Sequence, residues 1–438
     1  MLNQTKNKLI FFFIISIVFL ILPNLTSISQ AETIQPTGII LFIGDGMGFE
    51  HIELARLVEY GPEGESAILS FLYQNQISTV NIDASTTDSA AAATAISTGV
   101  KTRNGRIAMN YNGEIELTTI LEIAQENGYA TGIVATCHLT HATPAAFMAH
   151  DTSRNNYLDI ADDISKSNVD VLLGGGKSGS YLGGYISAMQ GNGYDYFNTR
   201  SELNSSITTP VLGLFSESSL VPSHLKNETS LEPSLLEMTI KAIDLLNSTG
   251  KPYFLMVEGS QIDSGGHDND PVYTALETIE FEKTVKYAKE LAENDTNLEI
   301  LVTADHETGG LSVIGYSYTT DLPLDTDDFE TKKSKRIARV TETITSWSTG
   351  GHTSTQVILG GIGPNAEEIL NATHHIDTFS IMRMLIDGET DPIEPDPYKG
   401  YINLYVFIYL MSLLGIAVLT GLLTWLRQKR TNTVNITA

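Results

Sequence analysis

Ile39-Ile40-Leu41-Phe42-Ile43 is followed without transition by Gly44-Asp45-Gly46-Met47-Gly48. Five successive apolar residues, three of them β-branched, make a run too short for a core helix. The run lacks the alternation of a half-exposed strand, so it suits a strand covered on both faces. Working outward, runs of the same kind occur at 130–135, 169–173, 253–257, 300–303 and 356–359. Helical patterns separate them, among them 117–127, 235–246 and 275–293. Strands alternating with helices predict an α/β fold: a central, mostly parallel sheet with helices on both faces. In such sheets ligands bind beyond the carboxyl ends of the strands. The residues just after each apolar run therefore become the candidates for function.

Those residues carry donors for metal ions. Asp45 follows the first run. Glu258, Asp263 and His267 follow the run at 253–257, and Asp305 and His306 follow the run at 300–303. His352 precedes the run at 356–359. A single Asp after a strand is an ordinary turn or cap residue. Four such groups at the ends of one sheet are not explained by turn chemistry, and mixed Asp, Glu and His donors suit zinc and magnesium. A separate stretch, Thr87-Asp88-Ser89-Ala90-Ala91-Ala92-Ala93, opens an alanine-rich helix that Gly99 closes. Asp88-Ser89 reads equally as a plain helix cap and as a serine nucleophile whose oxyanion is favoured by the helix dipole and a metal.

The chain has 438 residues, 42% of them hydrophobic, with 26 basic against 52 acidic side chains and a net charge of −26. So acidic a molecule excludes nucleic acid as a partner, because phosphate backbones are bound by basic patches. A small phosphate ester stays admissible where bound cations reverse the field. The one cysteine, Cys137, rules out an intrachain disulfide. Its place in an apolar run reads as a buried structural thiol rather than a catalyst.

The two ends differ from the middle. Lys6 and Lys8 precede an apolar run at 9–22, and Ser29-Gln30-Ala31 fits a small-x-small cleavage site, which predicts a signal peptide over 1–31, with an uncleaved anchor as the alternative. Residues 401–426 carry no charge. As a helix they extend roughly 39 Å, enough to cross a hydrocarbon core of about 30 Å. Arg427, Lys429 and Arg430 follow at once and mark a cytoplasmic tail, 427–438. Residues 391–400 form a Pro-rich stalk. The expectation is a single-pass cell-membrane protein whose catalytic domain, 32–390, faces the exterior. Asn204, Asn227, Asn247 and Asn371 begin glycosylation sequons.

With those motifs in order, the chain resembles the alkaline phosphatase family over roughly residues 35–390. The nucleophile segment appears as Thr87-Asp88-Ser89-Ala90-Ala91, the first metal aspartate as Asp45, and the phosphate-binding arginine as Arg154. Glu258, Asp263 and His267 match the family's second metal segment, Thr303–His306 its Thr-Ala-Asp-His run, and His352 its last histidine. The resemblance implies Ser89 as the nucleophile and Arg154 as the clamp on phosphate. It implies one zinc on Asp263, His267 and His352, and a second on Asp45, Asp305, His306 and Ser89. A magnesium, or another divalent metal, would sit on Asp45, Thr143 and Glu258. Two zincs about 4 Å apart clamp the entering and leaving oxygens of an in-line displacement.

Two positions depart from parts of the family: His141 stands where some bacterial members have aspartate, and Ser264 where lysine or histidine is common. Both imply a third site with a weaker preference for magnesium and a looser hold on phosphate. The substrates implied are small phosphate monoesters, and the family's frequent dimerisation makes a homodimer an expectation. A phosphodiesterase or sulfatase on the same scaffold would alter the nucleophile segment. A non-catalytic surface binding protein would have lost Ser89, Arg154 or a ligand, and none is lost.

Overall fold

The computed structural model describes residues 36–393. The expected signal peptide, most of the stalk, the membrane span at 401–426 and the tail lie outside the described residues. Among those described, no helix is long and apolar enough to cross a membrane.

The opening run forms β1 (Gly38–Gly44), every residue of it buried. Full burial on both faces is what its unbroken apolar character requires. Chain order continues with β2 (Tyr73–Ile77), β3 (Ala130–His138), β4 (Val171–Gly175), β5 (Asp195–Phe197), β6 (Val211–Leu214), β7 (Tyr253–Gly259) and β8 (Leu298–Ala304). Then come three short pieces, β9 (Glu307–Thr308), β10 (Leu311–Tyr316) and β11 (Thr343–Trp347), followed by β12 (His352–Thr353) and β13 (Val357–Ile362). Nine of these make one sheet in the order β2-β13-β8-β1-β7-β3-β4-β6-β5. The pairs from β8 through β5 are all parallel, and only β13 runs against its neighbours β8 and β2. The expected mostly parallel sheet is thus present.

Several helices start where the sequence supplies a side-chain cap. The helix Ile120–Glu126 begins at a Thr119/Glu122 capping box, three residues inside the expected start at 117. Helix Leu235–Ser248 has the same device in Ser234/Glu237. Helix Pro271–Asn294, the longest among the described residues, is capped by Asp270 with proline at its first position. Its Phe281 meets Phe42 of β1 edge to face, with ring centroids 6.1 Å apart. These contacts fix β1 at the middle of the sheet, and with it the loop that starts at Asp45.

Candidate metal centre and nucleophile

Parallel register does the first part of the assembly. Gly44 of β1 lies opposite Gly259 of β7 and Ala304 of β8. The carboxylates of Asp45, Glu258 and Asp305 are therefore delivered side by side, and all three are fully buried, as is His306. The turn after β1 demands glycine at 46. Its φ is +73°, and a Cβ there would stand 2.7 Å from Asp263 Cα. The Gly46 N–H donates to Asp305 Oδ1 at 3.0 Å.

The alanine-rich stretch forms the helix Ser89–Thr98, buried along its whole length. Asp88 is its N-cap and accepts from the Ala91 N–H, and Gly99 closes it in the left-handed conformation. Asp88 does more than cap. Its other oxygen accepts from the Gly105 N–H at 2.9 Å and from Arg154 Nη1 at 3.1 Å. Arg154 Nη2 faces His141 Nε2 at 3.1 Å. Burial alone would lower the arginine's pKa, but Asp88, with Asp45 and Asp305 behind it, holds it above the ordinary value. The guanidinium is thus braced at both terminal nitrogens, and each keeps a second N–H for a ligand. Ser89, 2% exposed, brings Oγ to 3.3 Å from His306 Nε2.

The histidine tautomers follow from their outer partners. His267 Nδ1 donates to Gly350 O at 2.8 Å, and His352 Nδ1 to Thr87 O at 2.9 Å. Both Nε2 atoms then carry lone pairs, yet they face each other at 3.2 Å beside the Asp263 carboxylate. The Thr308 hydroxyl donates to Asp263 Oδ1 at 2.5 Å and so accepts from His306 Nδ1 at 3.2 Å. That leaves His306 Nε2 with its lone pair aimed at Asp305 Oδ2 (3.2 Å) and Asp45 Oδ1 (3.6 Å). Lone pairs gathered in this way repel unless a cation lies among them.

The acids show the same strain. Burial, then Asp305, Asp263 and Glu258, pushes the Asp45 pKa well up, and burial raises Asp305 and lifts Glu258 to about 7. Both oxygens of Asp45, Oδ2 of Asp305, Oε1 of Glu258 and the Thr143 hydroxyl have no hydrogen-bond partner. Orphaned buried acceptors of this kind are costly, and divalent ions fit them. Three groups bring donor atoms within 4.8 Å of one another: Asp263, His306 and His352; Asp45, Asp305 and His306; and Cys137, His141 and Glu258.

The structure thus gathers Asp45, Ser89, Glu258, Asp263, His267, Asp305, His306 and His352, with Thr143 beside Glu258 and Arg154 reaching in from the Asp88 side. Ser264 lies on the same short helix as Asp263, and its hydroxyl neighbours Tyr273. Sequence reasoning missed the brace from Asp88 to Arg154 and the double role of Thr308. Thr308 stands two residues beyond His306, and i, i+2 spacing on an extended chain was a usable hint. The remaining histidines make local contacts, His51 accepting from the Gly48 N–H and His224 packing against the Tyr273 ring, and most are buried rather than on the surface. His375 reaches Ala304 O, His374 Val80 O, His150 Leu117 O and His138 Thr140 Oγ1.

Comparison with known proteins agrees with this geometry. The family model described as alkaline phosphatase matches residues 37–330. Alkaline phosphatase 3 of Bacillus subtilis is 36% identical over 75% of this chain and 84% of its own. The solved cold-active alkaline phosphatase from a psychrophilic Shewanella superposes with a TM-score of 0.70 at 31% identity, covering 80% of this chain and 99% of that one. A mutant of the TAB5 alkaline phosphatase, solved with Mg bound in its M3 site, gives 0.68 at 30% identity over 80% and 98%. This chain belongs to the alkaline phosphatase family, whose members support its assignment as a hydrolase of phosphate monoesters.

Proposed function

We propose that hydrolysis runs through a phosphoserine on Ser89, at a centre that takes two zinc ions and one further divalent ion. The observation that supports this reading most is the convergence of the unpartnered carboxylate oxygens of Asp45 and Asp305 on His306 Nε2, whose lone pair faces Ser89 Oγ. When bound, the ions would supply Lewis-acid stabilisation of the attacking and leaving oxygens. Asp263, His267 and His352 would hold one zinc, and Asp45, Asp305, His306 and Ser89 the other. Asp45, Thr143 and Glu258 would hold magnesium or another divalent metal.

The chain's own residues set up the rest. Arg154, braced by Asp88 and His141, offers its two remaining terminal N–H groups to equatorial phosphoryl oxygens. Ser89 stands at the first position of its helix, where backbone N–H groups and the helix dipole favour negative charge. Its Oγ forms the bond to phosphorus as the ester bond breaks, and the alcohol departs with a proton. Water then attacks the phosphoserine, frees inorganic phosphate and restores Ser89. The proposal includes secretion through residues 1–31, anchoring through 401–426 with the catalytic domain outside, and a homodimeric state to be checked by sedimentation.

The test is turnover of a chromogenic phosphate monoester with and without chelator, joined to acid-quench labelling. Label is expected on Ser89, and Ser89→Ala should lose most activity while keeping its bound metal. Label on another residue would overturn the assignment. Sulfate-ester or phosphodiester turnover exceeding that of the monoester would favour the rival chemistries on this scaffold.

A further inference from the structure

Cys137 ends a run of apolar residues and is buried, 4% exposed, which agrees with its reading as a core thiol. Its sulfur packs in the core cluster and also reaches a carboxylate. Sγ donates to Glu258 Oε2 at 3.4 Å across a separation of 121 residues. The other oxygen of that carboxylate, Oε1, has no partner, and neither has the Thr143 hydroxyl beside it. Glu258 and Thr143 are both fully buried. Sγ, a Glu258 oxygen and a ring nitrogen of His141 lie within 4.8 Å of one another. That is close to the span of donors sharing one ion through bonds of about 2.0–2.3 Å.

His141 is the obvious nitrogen donor, but Arg154 occupies it. A guanidinium donates and never accepts, so His141 Nε2, 3.1 Å from Arg154 Nη2, carries the lone pair. In the neutral ring Nδ1 then bears the proton, and Nδ1 is the buried atom left without a partner. A ring so pinned cannot ligate through Nδ1. Cys137 is left as the soft donor of the group.

We propose that Cys137 is a ligand of the third metal position, so that this chain's third site, built on Cys137 Sγ with Asp45, Glu258 and Thr143, prefers a borderline or soft divalent ion over magnesium. Magnesium takes oxygen donors in near-ideal octahedral geometry and keeps its waters. Thiolate selects zinc, cobalt and softer ions. On binding, the Sγ–H proton leaves to solvent as the sulfur–metal bond forms. His141 stays outside the ligand set, held by Arg154.

This inference rests on the phosphatase reading only in assuming that the other two positions hold zinc. The test uses the full chain loaded with two equivalents of zinc, its monoester turnover verified first, then titrated with cobalt(II). A sulfur-to-cobalt charge-transfer band is expected to grow with the third equivalent, to resist excess magnesium, and to vanish in Cys137→Ser. The preference for cobalt over magnesium should fall at least about tenfold in that variant, while His141→Ala should keep the band. A third equivalent that binds wild type without the band overturns the proposal and needs no variant to fold. So does a band that survives in Cys137→Ser. Absence of turnover before the titration would instead count against the phosphatase reading.

Discussion

At the scale of single residues, the Thr308 hydroxyl holds two candidate metal ligands, Asp263 and His306, in one orientation. It donates to Asp263 Oδ1 and accepts from His306 Nδ1, fixing a carboxylate on one side and an imidazole tautomer on the other. Outer partners of this kind set ligand direction, and their loss typically lowers metal affinity about 10- to 100-fold. Thr308→Val keeps the shape and removes the hydroxyl, so it should lose zinc to a chelator sooner by that factor. Most activity should return at saturating zinc, and Thr308→Ser should behave as wild type. Unchanged chelator sensitivity in Thr308→Val would mean that the residue only fills space. The candidate ligands themselves were legible in the sequence, because Asp45, Asp305 and His306 stand immediately after strands whose apolar runs announce them. Thr308, the Asp88 brace and the Cys137 contact were not, because each depends on where a side chain points once distant segments meet. Asp88 and Arg154 are 66 residues apart, and Thr308 and Asp263 are 45 apart.

At the scale of elements, β1, β3, β4, β7, β8 and β13 were read closely because burial leaves mainly apolar residues to see, whereas the buried β6, Val-Leu-Gly-Leu, was missed because its run is short and broken by glycine. The edge strands escaped for lack of burial. β2 is Tyr-Gln-Asn-Gln-Ile with alternate residues exposed, and β5 has three residues, none of them fully buried. Strand direction was equally hidden, since nothing in the composition of β13 marks it as antiparallel. β8 shows how one charge can disguise a strand's start: the apolar run begins at Ile300, yet the strand begins at Leu298 and buries Glu299 completely. Burial raises the Glu299 carboxyl to about 8, although one oxygen accepts from the Asn365 N–H at 3.0 Å. The folded value thus exceeds the unfolded one, about 4.3. The folded state holds the proton that the unfolded state has already lost. The stabilisation is whole below the unfolded value and drains away as pH climbs to about 8. Glu299→Gln cannot ionise and keeps an acceptor for Asn365. It should stabilise the protein by on the order of 1–3 kcal/mol at pH 9 and little at pH 4. The difference in Tm between the two pH values should narrow in the variant. An identical pH slope in wild type and variant would place the titration elsewhere.

At the scale of the whole molecule, charge and apolar surface are divided by region. All 52 acidic residues fall between 32 and 400, while residues 1–31 and 401–438 carry basic charges only. An acidic catalytic domain needs bound cations to draw a phosphate ester into its site, which agrees with the concentration of buried carboxylates there. Basic residues directly after an uncharged stretch stay on the cytoplasmic side, and a leader at the other end directs the chain behind it outward. The last helix among the described residues, His375–Asp387, is closed by Gly388, and the sequence soon after reads Asp391-Pro392-Ile393-Glu394-Pro395-Asp396-Pro397. Proline removes backbone donors and favours an extended chain, so this stretch should be a spacer open to proteolysis between a compact domain and an anchor. Protease added to intact cells is expected to release a soluble fragment that keeps phosphatase activity and ends between 391 and 400. Its terminus would be read by mass spectrometry. Activity that stays cell-bound until the membrane is opened would place the domain inside and reject this topology. Activity already free in the medium before protease would show that 401–426 does not anchor the chain. Cleavage within 36–390 under the same conditions would mean that the spacer is shielded and the boundary between domain and anchor lies elsewhere.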